Sequence, residues 1–188
     1  MVLGKLFRKD PTAAAAAALY GRIVEQARQP AFYRSADVPD SLDGRFELIA
    51  LHAFLVLHRL KREGEAGTGL AQSLFDTMFA DMDASLRELG AGDLGVPHRI
   101  KRMVSGFQGR VAAYDAGLAG PDSELIEALR RNLYGTVAPS PAAAAALAAY
   151  LRTACAALAG QSGPALLAGE LGFPPPQLGG DITATSPG

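Results

Sequence analysis

Apolar residues recur along this chain at helical rather than alternating spacing, and the recurrence divides it into six helical stretches. Residues 13–28 open with six alanines and continue as LYGRIVEQAR, a helix expected to stop before Pro30. Residues 30–43 hold two prolines among Ser, Asp and Tyr, so they predict an irregular connection in which Phe32 and Tyr33 anchor on something. From 44 to 62 the apolar side chains, Phe46, Leu48, Leu51, Phe54, Leu55, Val56 and Leu60 among them, cover nearly the whole helical circumference. A helix apolar all round belongs at the centre of a bundle.

Between 70 and 89, Leu70, Leu74, Phe75, Met78, Phe79, Met82, Leu86 and Leu89 fall on one half of a helix, the clearest amphipathic pattern in the chain. After the glycines of 90–95, Pro97 suits a first helical turn, and Ile100, Met103, Val104, Phe107, Val111, Tyr114 and Leu118 share a stripe. A fifth helix over 122–134 takes Asp122 or Ser123 as its N-cap and Gly135 as its stop. The sixth, 141–159, is so rich in alanine that weak packing through Leu147, Tyr150, Leu151 and Leu158 is expected. The pattern predicts an all-α, single-domain bundle of about six helices over 12–171. Before it stands a flexible basic, amphipathic N-terminus (1–11) with a possible hold on a membrane surface, and after it a disordered Pro/Gly-rich tail (172–188).

Length and charge narrow the function classes. The 188 residues suit one core, and 18 Lys+Arg against 19 Asp+Glu give a net charge of -1, which disfavours nucleic-acid binding. The lone Cys155 excludes an intramolecular disulfide and a thiolate zinc site, so a reducing, cytoplasmic setting is expected. The strongly apolar run 48–57 is interrupted by His52 and falls well short of the roughly 20 residues of a spanning helix, so no membrane crossing is expected. Residues 1–10 lack the apolar core of a secretory signal and are short for a transit peptide.

Candidate chemistry is sparse. The string GAGDLG (90–95) matches a dinucleotide fingerprint, but a helix precedes it where that motif needs a strand, so a helix–helix turn is expected there, and a weaker one at Gly67-Thr68-Gly69. His52 and His58 sit on different faces of one helix and His98 in another, so each reads as a histidine with a hydrogen-bond partner rather than a metal ligand. Asp76, Asp81 and Asp83 bracket the apolar face of the third helix, with an Asp83–Arg87 pair expected. On the fourth helix, Gly106, Gly109, Ala113, Ala116 and Gly117 form a smooth strip bordered by Lys101, Arg102 and Arg110. The strip awaits a close neighbour, either the alanine-rich helix or a partner. No nucleophile–base arrangement and no cofactor motif is found, so the chain is not expected to be an enzyme.

Several stretches together resemble the ubiquinol-cytochrome c chaperone family, the assembly factors of respiratory complex III. They are ARQPAFY (27–33), VPDSLDGRFELIALHAFLVLHRL (38–60), LFDTMFADMDASLRELGAGDLGVP (74–97), GRVAAYDAGL (109–118) and RRNLYG (130–135). The resemblance covers residues 20–134 and points to its bacterial branch. It departs from the family at Gln108, where relatives often carry tyrosine, and after Pro139, where no family motif is recognisable.

The resemblance implies a non-catalytic chaperone that binds newly made cytochrome b at the cytoplasmic face of the inner membrane. In mitochondrial relatives it further implies a small partner chaperone and the ribosome as partners. The expected binding face is a composite groove of Phe32, Tyr33, Arg45, Asp76, Asp81, Asp83, Arg110 and Tyr114. The competing reading is a helical carrier of quinone, lipid or haem, with a pocket lined by Phe46, Phe54, Phe75 and Phe79.

Overall fold

A computed structural model describes residues 11–88, 96–135 and 137–179. Among them there is no strand, and eight helices follow in order: α1 (Pro11–Ala27), α2 (Pro30–Ser35), α3 (Leu42–Leu60), α4 (Gly64–Glu88), α5 (Val96–Ala119), α6 (Asp122–Leu129), α7 (Pro141–Ala159) and α8 (Gly163–Leu167). A 3-10 turn, Lys61–Glu63, joins α3 to α4, and a π turn, Arg130–Tyr134, prolongs α6. With α2 and α8 set aside as short accessory pieces, the all-α bundle of six helices is the one the periodicity predicts.

The helix apolar on every side is indeed the axis of the bundle. α3 packs against α1, α4, α5 and α7, and its Leu48, Leu51, Phe54, Leu55, Val56 and Leu60 are fully buried. It begins two residues before the expected position because Ser41 caps it, Oγ accepting from the amide of Gly44 at 3.1 Å, with Asp43 in the positive first turn. On its flanks α4 lies along α1, while α5 packs on α4 and α6.

Several local expectations are corrected. Residues 30–35 are helical, because Pro30 occupies the first turn, where its missing N–H costs nothing. α4 starts six residues earlier than its apolar stripe, so Gly67 lies inside a helix rather than in a turn. A Cβ on Gly67 would sit 2.2 Å from the carbonyl oxygen of Leu60, so the glycine permits the α3–α4 elbow to close. The smooth strip on α5 receives α6, not α7, and only at its Gly117 end: a Cβ on Gly117 would lie 2.8 Å from Cα of Leu125, whereas Gly109 faces open space. The N-cap of α6 is Pro121, and Asp122 in the first turn instead accepts from Arg152 Nε at 2.7 Å.

α7 packs more firmly than its composition suggests. Leu147, Tyr150, Leu151 and Leu158 are all buried against α3 and α6, since alanines allow the helix axes to approach. By length and composition α7, at a mean hydropathy of 1.5, rather than the 48–57 run, comes nearest to a spanning segment, and 44% of it is buried in the bundle.

The packed chain also runs past the expected boundary at residue 172. Leu178 is 4% exposed, Phe173 stacks edge-on against His52 at 5.2 Å, and Gln26 Nε2 donates to the carbonyl of Pro174 at 3.0 Å. Prolines fit such an irregular strap because it needs few backbone donors. The remainder of the tail (180–188), the amphipathic N-terminus (1–10) and the glycine turn (90–95) lie outside the described residues.

Candidate functional site

Two grooves open on one side of the bundle and share Asp43, Phe46 and Met103, so they form one trough across the N-terminal half of α3. The first, about 990 Å³, lies between α2, the start of α3 and the end of α4, and is lined by Tyr33, Leu42, Ile49, Met82 and Leu86 among others. The second, about 740 Å³, lies between α3, α5 and the π turn, with Leu133, Tyr134 and Val137 on its wall. Leu42 and Val137, 46% and 44% exposed, are the exposed large apolar side chains among the described residues, and one lies on each groove. Neither groove is lined by histidine or cysteine.

The polar rim is organised by pairs. In the first groove the Tyr20 hydroxyl donates to Asp81 Oδ2 at 2.7 Å, Tyr33 donates to the carbonyl of Ala27 at 3.1 Å, and Arg45 Nε pairs with Asp40 at 2.7 Å. Burial and the Asp81 carboxylate together push the Tyr20 phenol upward, so it stays a donor. In the second groove Arg110 grips Glu47 with two parallel hydrogen bonds, one of them Nε to Oε2 at 2.6 Å, while its guanidinium lies 5.7 Å from the centre of the Phe46 ring. Burial raises the Glu47 carboxyl, and Arg110 draws it back down; burial is the larger influence.

The structure brings together part of the expected face. Tyr33, Arg45 and Asp81 line the first groove and Arg110 the second. Phe32 and Tyr114 are corrections: both are interior. Phe32 is 0% exposed and meets the rings of His52 and Tyr150 edge-on at 5.2 and 5.1 Å, because the α2 turn points it inward. Tyr114 is also 0% exposed, and its hydroxyl is the one buried side-chain polar atom without a hydrogen-bond partner among the described residues. Asp76 and Asp83 line neither groove; they accept from Gln72 at 2.8 Å and Arg87 at 2.7 Å on the α4 surface.

The four phenylalanines of a carrier pocket do not share one cavity. Phe75 and Phe79 stack at 4.6 Å and meet Phe107, Phe54 packs on Tyr114, and Phe46 lines the trough. His52 donates from Nδ1 to the Leu48 carbonyl at 2.8 Å, and His58 pairs with Asp115 at 2.7 Å. Among the described residues no three His, Cys, Asp or Glu side chains converge to hold a metal ion.

Sequence reasoning missed Leu42, Val137 and Arg131, and it placed Arg102 beside the smooth strip of α5 rather than on a groove. The first two carried a readable signal: each is a large apolar residue outside the helical stripes, Leu42 beside the Ser41 cap and Val137 between Gly135 and Pro139.

The chain is 28% identical over 138 residues to the ubiquinol-cytochrome-c reductase complex assembly factor 1 of Xenopus laevis, covering 73% of this chain and 69% of that protein. To the protein of that description from Homo sapiens it is 26% identical over 162 residues, covering 86% of this chain and 54% of the human one. The chain thus spans about half the length of the human relative. A crystal structure of the Cbp3 homolog from Brucella abortus superposes with a TM-score of 0.77 at 43% identity, over 87% of this chain and 90% of that one. The family model described as ubiquinol-cytochrome C chaperone matches residues 34–173. That stretch takes in the alanine-rich α7, where the sequence shows no recognisable motif. Matched over most of its length, the chain belongs to the ubiquinol-cytochrome c chaperone family.

Proposed function

We propose that this chain is a non-catalytic assembly chaperone of the ubiquinol-cytochrome c reductase, and that it shelters an apolar segment of newly made cytochrome b in the trough across α3. The observation that carries the reading is the placement of Leu42 and Val137, one on each of two adjoining grooves. Exposed apolar area stabilises whatever covers it by about 25 cal/mol per Å². A client segment awaiting insertion carries the complementary surface and aggregates if left uncovered. Tyr33, Arg45, Asp81 and Arg110 line these grooves and supply directional polar contacts. By analogy with the family, the work takes place at the cytoplasmic face of the inner membrane, and the small partner chaperone and ribosome of mitochondrial relatives belong to the same proposal.

The test is the double variant L42D/V137D. Both side chains are half exposed, so the helical fold should persist by circular dichroism, while co-purification of cytochrome b falls at least about tenfold and complex III assembly fails in cells. Undiminished capture overturns the reading. Haem, quinone or lipid bound to the native purified protein, or a turnover reaction, would favour the carrier or an enzyme instead.

A further inference from the structure

The trough is electrically uneven from one end to the other. The first groove is lined by Arg28, Arg34 and Arg45 against four carboxylates, the second by Arg102, Arg110 and Arg131 against only Asp43 and Glu47. Within the second groove the carboxylate of Glu47 is taken up by Arg110. Arg102 on α5 and Arg131 on the π turn have no ion-pair partner among the described residues. A π turn is a common device at functional sites, and this one closes the wall that carries Arg131.

We propose that the trough is directional: it takes an apolar polypeptide segment whose acidic flank seats between Arg102 and Arg131. The proposal rests on the client reading above and specifies the chemistry of the segment. A carboxylate matches the planar guanidinium fork in geometry as well as charge, and in a concave site it loses less to solvent screening than on an open surface. A bilayer is the weaker occupant. The two arginines line a groove together with Phe46, Met103 and Val137, so a ligand that meets both sets offers apolar side chains beside its charge, which a headgroup plane does not.

The experiment uses the full chain and labelled synthetic peptides with one apolar helical core of about four turns and a terminal flank of glutamates, glutamines or lysines. The acid-flanked peptide should bind about tenfold more tightly than the lysine-flanked one by fluorescence anisotropy, and the gap should narrow in high salt. In R102Q/R131Q the gap should close, and in R102E/R131E it should invert; both side chains are exposed, so the fold is not at stake.

Equal binding of all three peptides, or a preference indifferent to both arginines, overturns the directional reading and leaves the client reading standing. Failure of every peptide to bind overturns both. Displacement of the acid-flanked peptide by phosphatidylglycerol vesicles, but not by phosphatidylcholine vesicles, in an Arg102- and Arg131-dependent manner overturns the peptide in favour of a lipid surface.

Discussion

The Tyr150 hydroxyl donates to Nε2 of His52 at 2.9 Å and so ties the alanine-rich α7 to the axis of the bundle. The same hydroxyl accepts from Gln26 Nε2 at 2.9 Å, and Gln26 in turn holds Pro174, so one buried relay links α1, α3, α7 and the C-terminal strap. The Leu48 carbonyl can only accept, so His52 carries its proton on Nδ1 and presents Nε2 as the acceptor. Tyr150→Phe removes the hub: it leaves the buried Nε2 of His52 without a partner and Gln26 Nε2 with only the Pro174 carbonyl. It should cost about 1–3 kcal/mol in urea denaturation, well beyond the loss of a single exposed hydrogen bond.

Burial keeps His52 neutral, lowering its pKa from 6.5 to about 4 against the pull of its Leu48 hydrogen bond. The unfolded chain therefore takes up this proton first. The stabilisation from neutral His52 is fully present above pH 6.5 and is lost as the pH falls toward 4. Unfolding free energy should drop by about 3 kcal/mol over that window from this residue. His52→Gln should flatten the slope relative to the parent chain; an identical slope in both proteins would contradict the assignment.

Tyr114→Phe removes a buried hydroxyl that has no partner among the described residues. It should be neutral or stabilising by up to about 1 kcal/mol, the reverse of Tyr150→Phe. Because Tyr114 is interior, the variant should also capture client as well as the parent does.

Glycines separate into two kinds by what surrounds them. Gly67→Ala drives a methyl against the Leu60 carbonyl and should lower the melting temperature, at a cost of about 1–3 kcal/mol. Gly109→Ala meets open space in the middle of α5 and should raise stability by about 0.5–1 kcal/mol. Thermal unfolding of the pair decides whether close approach or helix propensity governs each site.

The bundle was legible because amphipathic stripes report burial directly: Leu70, Leu74 and Met78 lie on the buried side of α4 as their spacing requires. α7 was misjudged because area per alanine was weighed without the closeness that small side chains allow. Phe32 and Tyr114 were misplaced for a related reason: an aromatic ring in a connection, or a tyrosine within an apolar stripe, is compatible both with anchoring inward and with facing a partner. The trough itself was only half visible, since Leu42 and Val137 are far apart in sequence and only the fold sets them on one surface.

The close approach at Gly67 governs more than its own neighbourhood. Met82 and Leu86 form a wall of the trough near the far end of the 25-residue α4, and at 1.5 Å per residue Met82 stands about 22 Å from the elbow. A tilt of about 5° at that elbow would swing the wall by about 2 Å, roughly the radius of a methyl group. If the trough docks a client as proposed, its fit should respond to substitutions at this remote elbow, through leverage rather than contact.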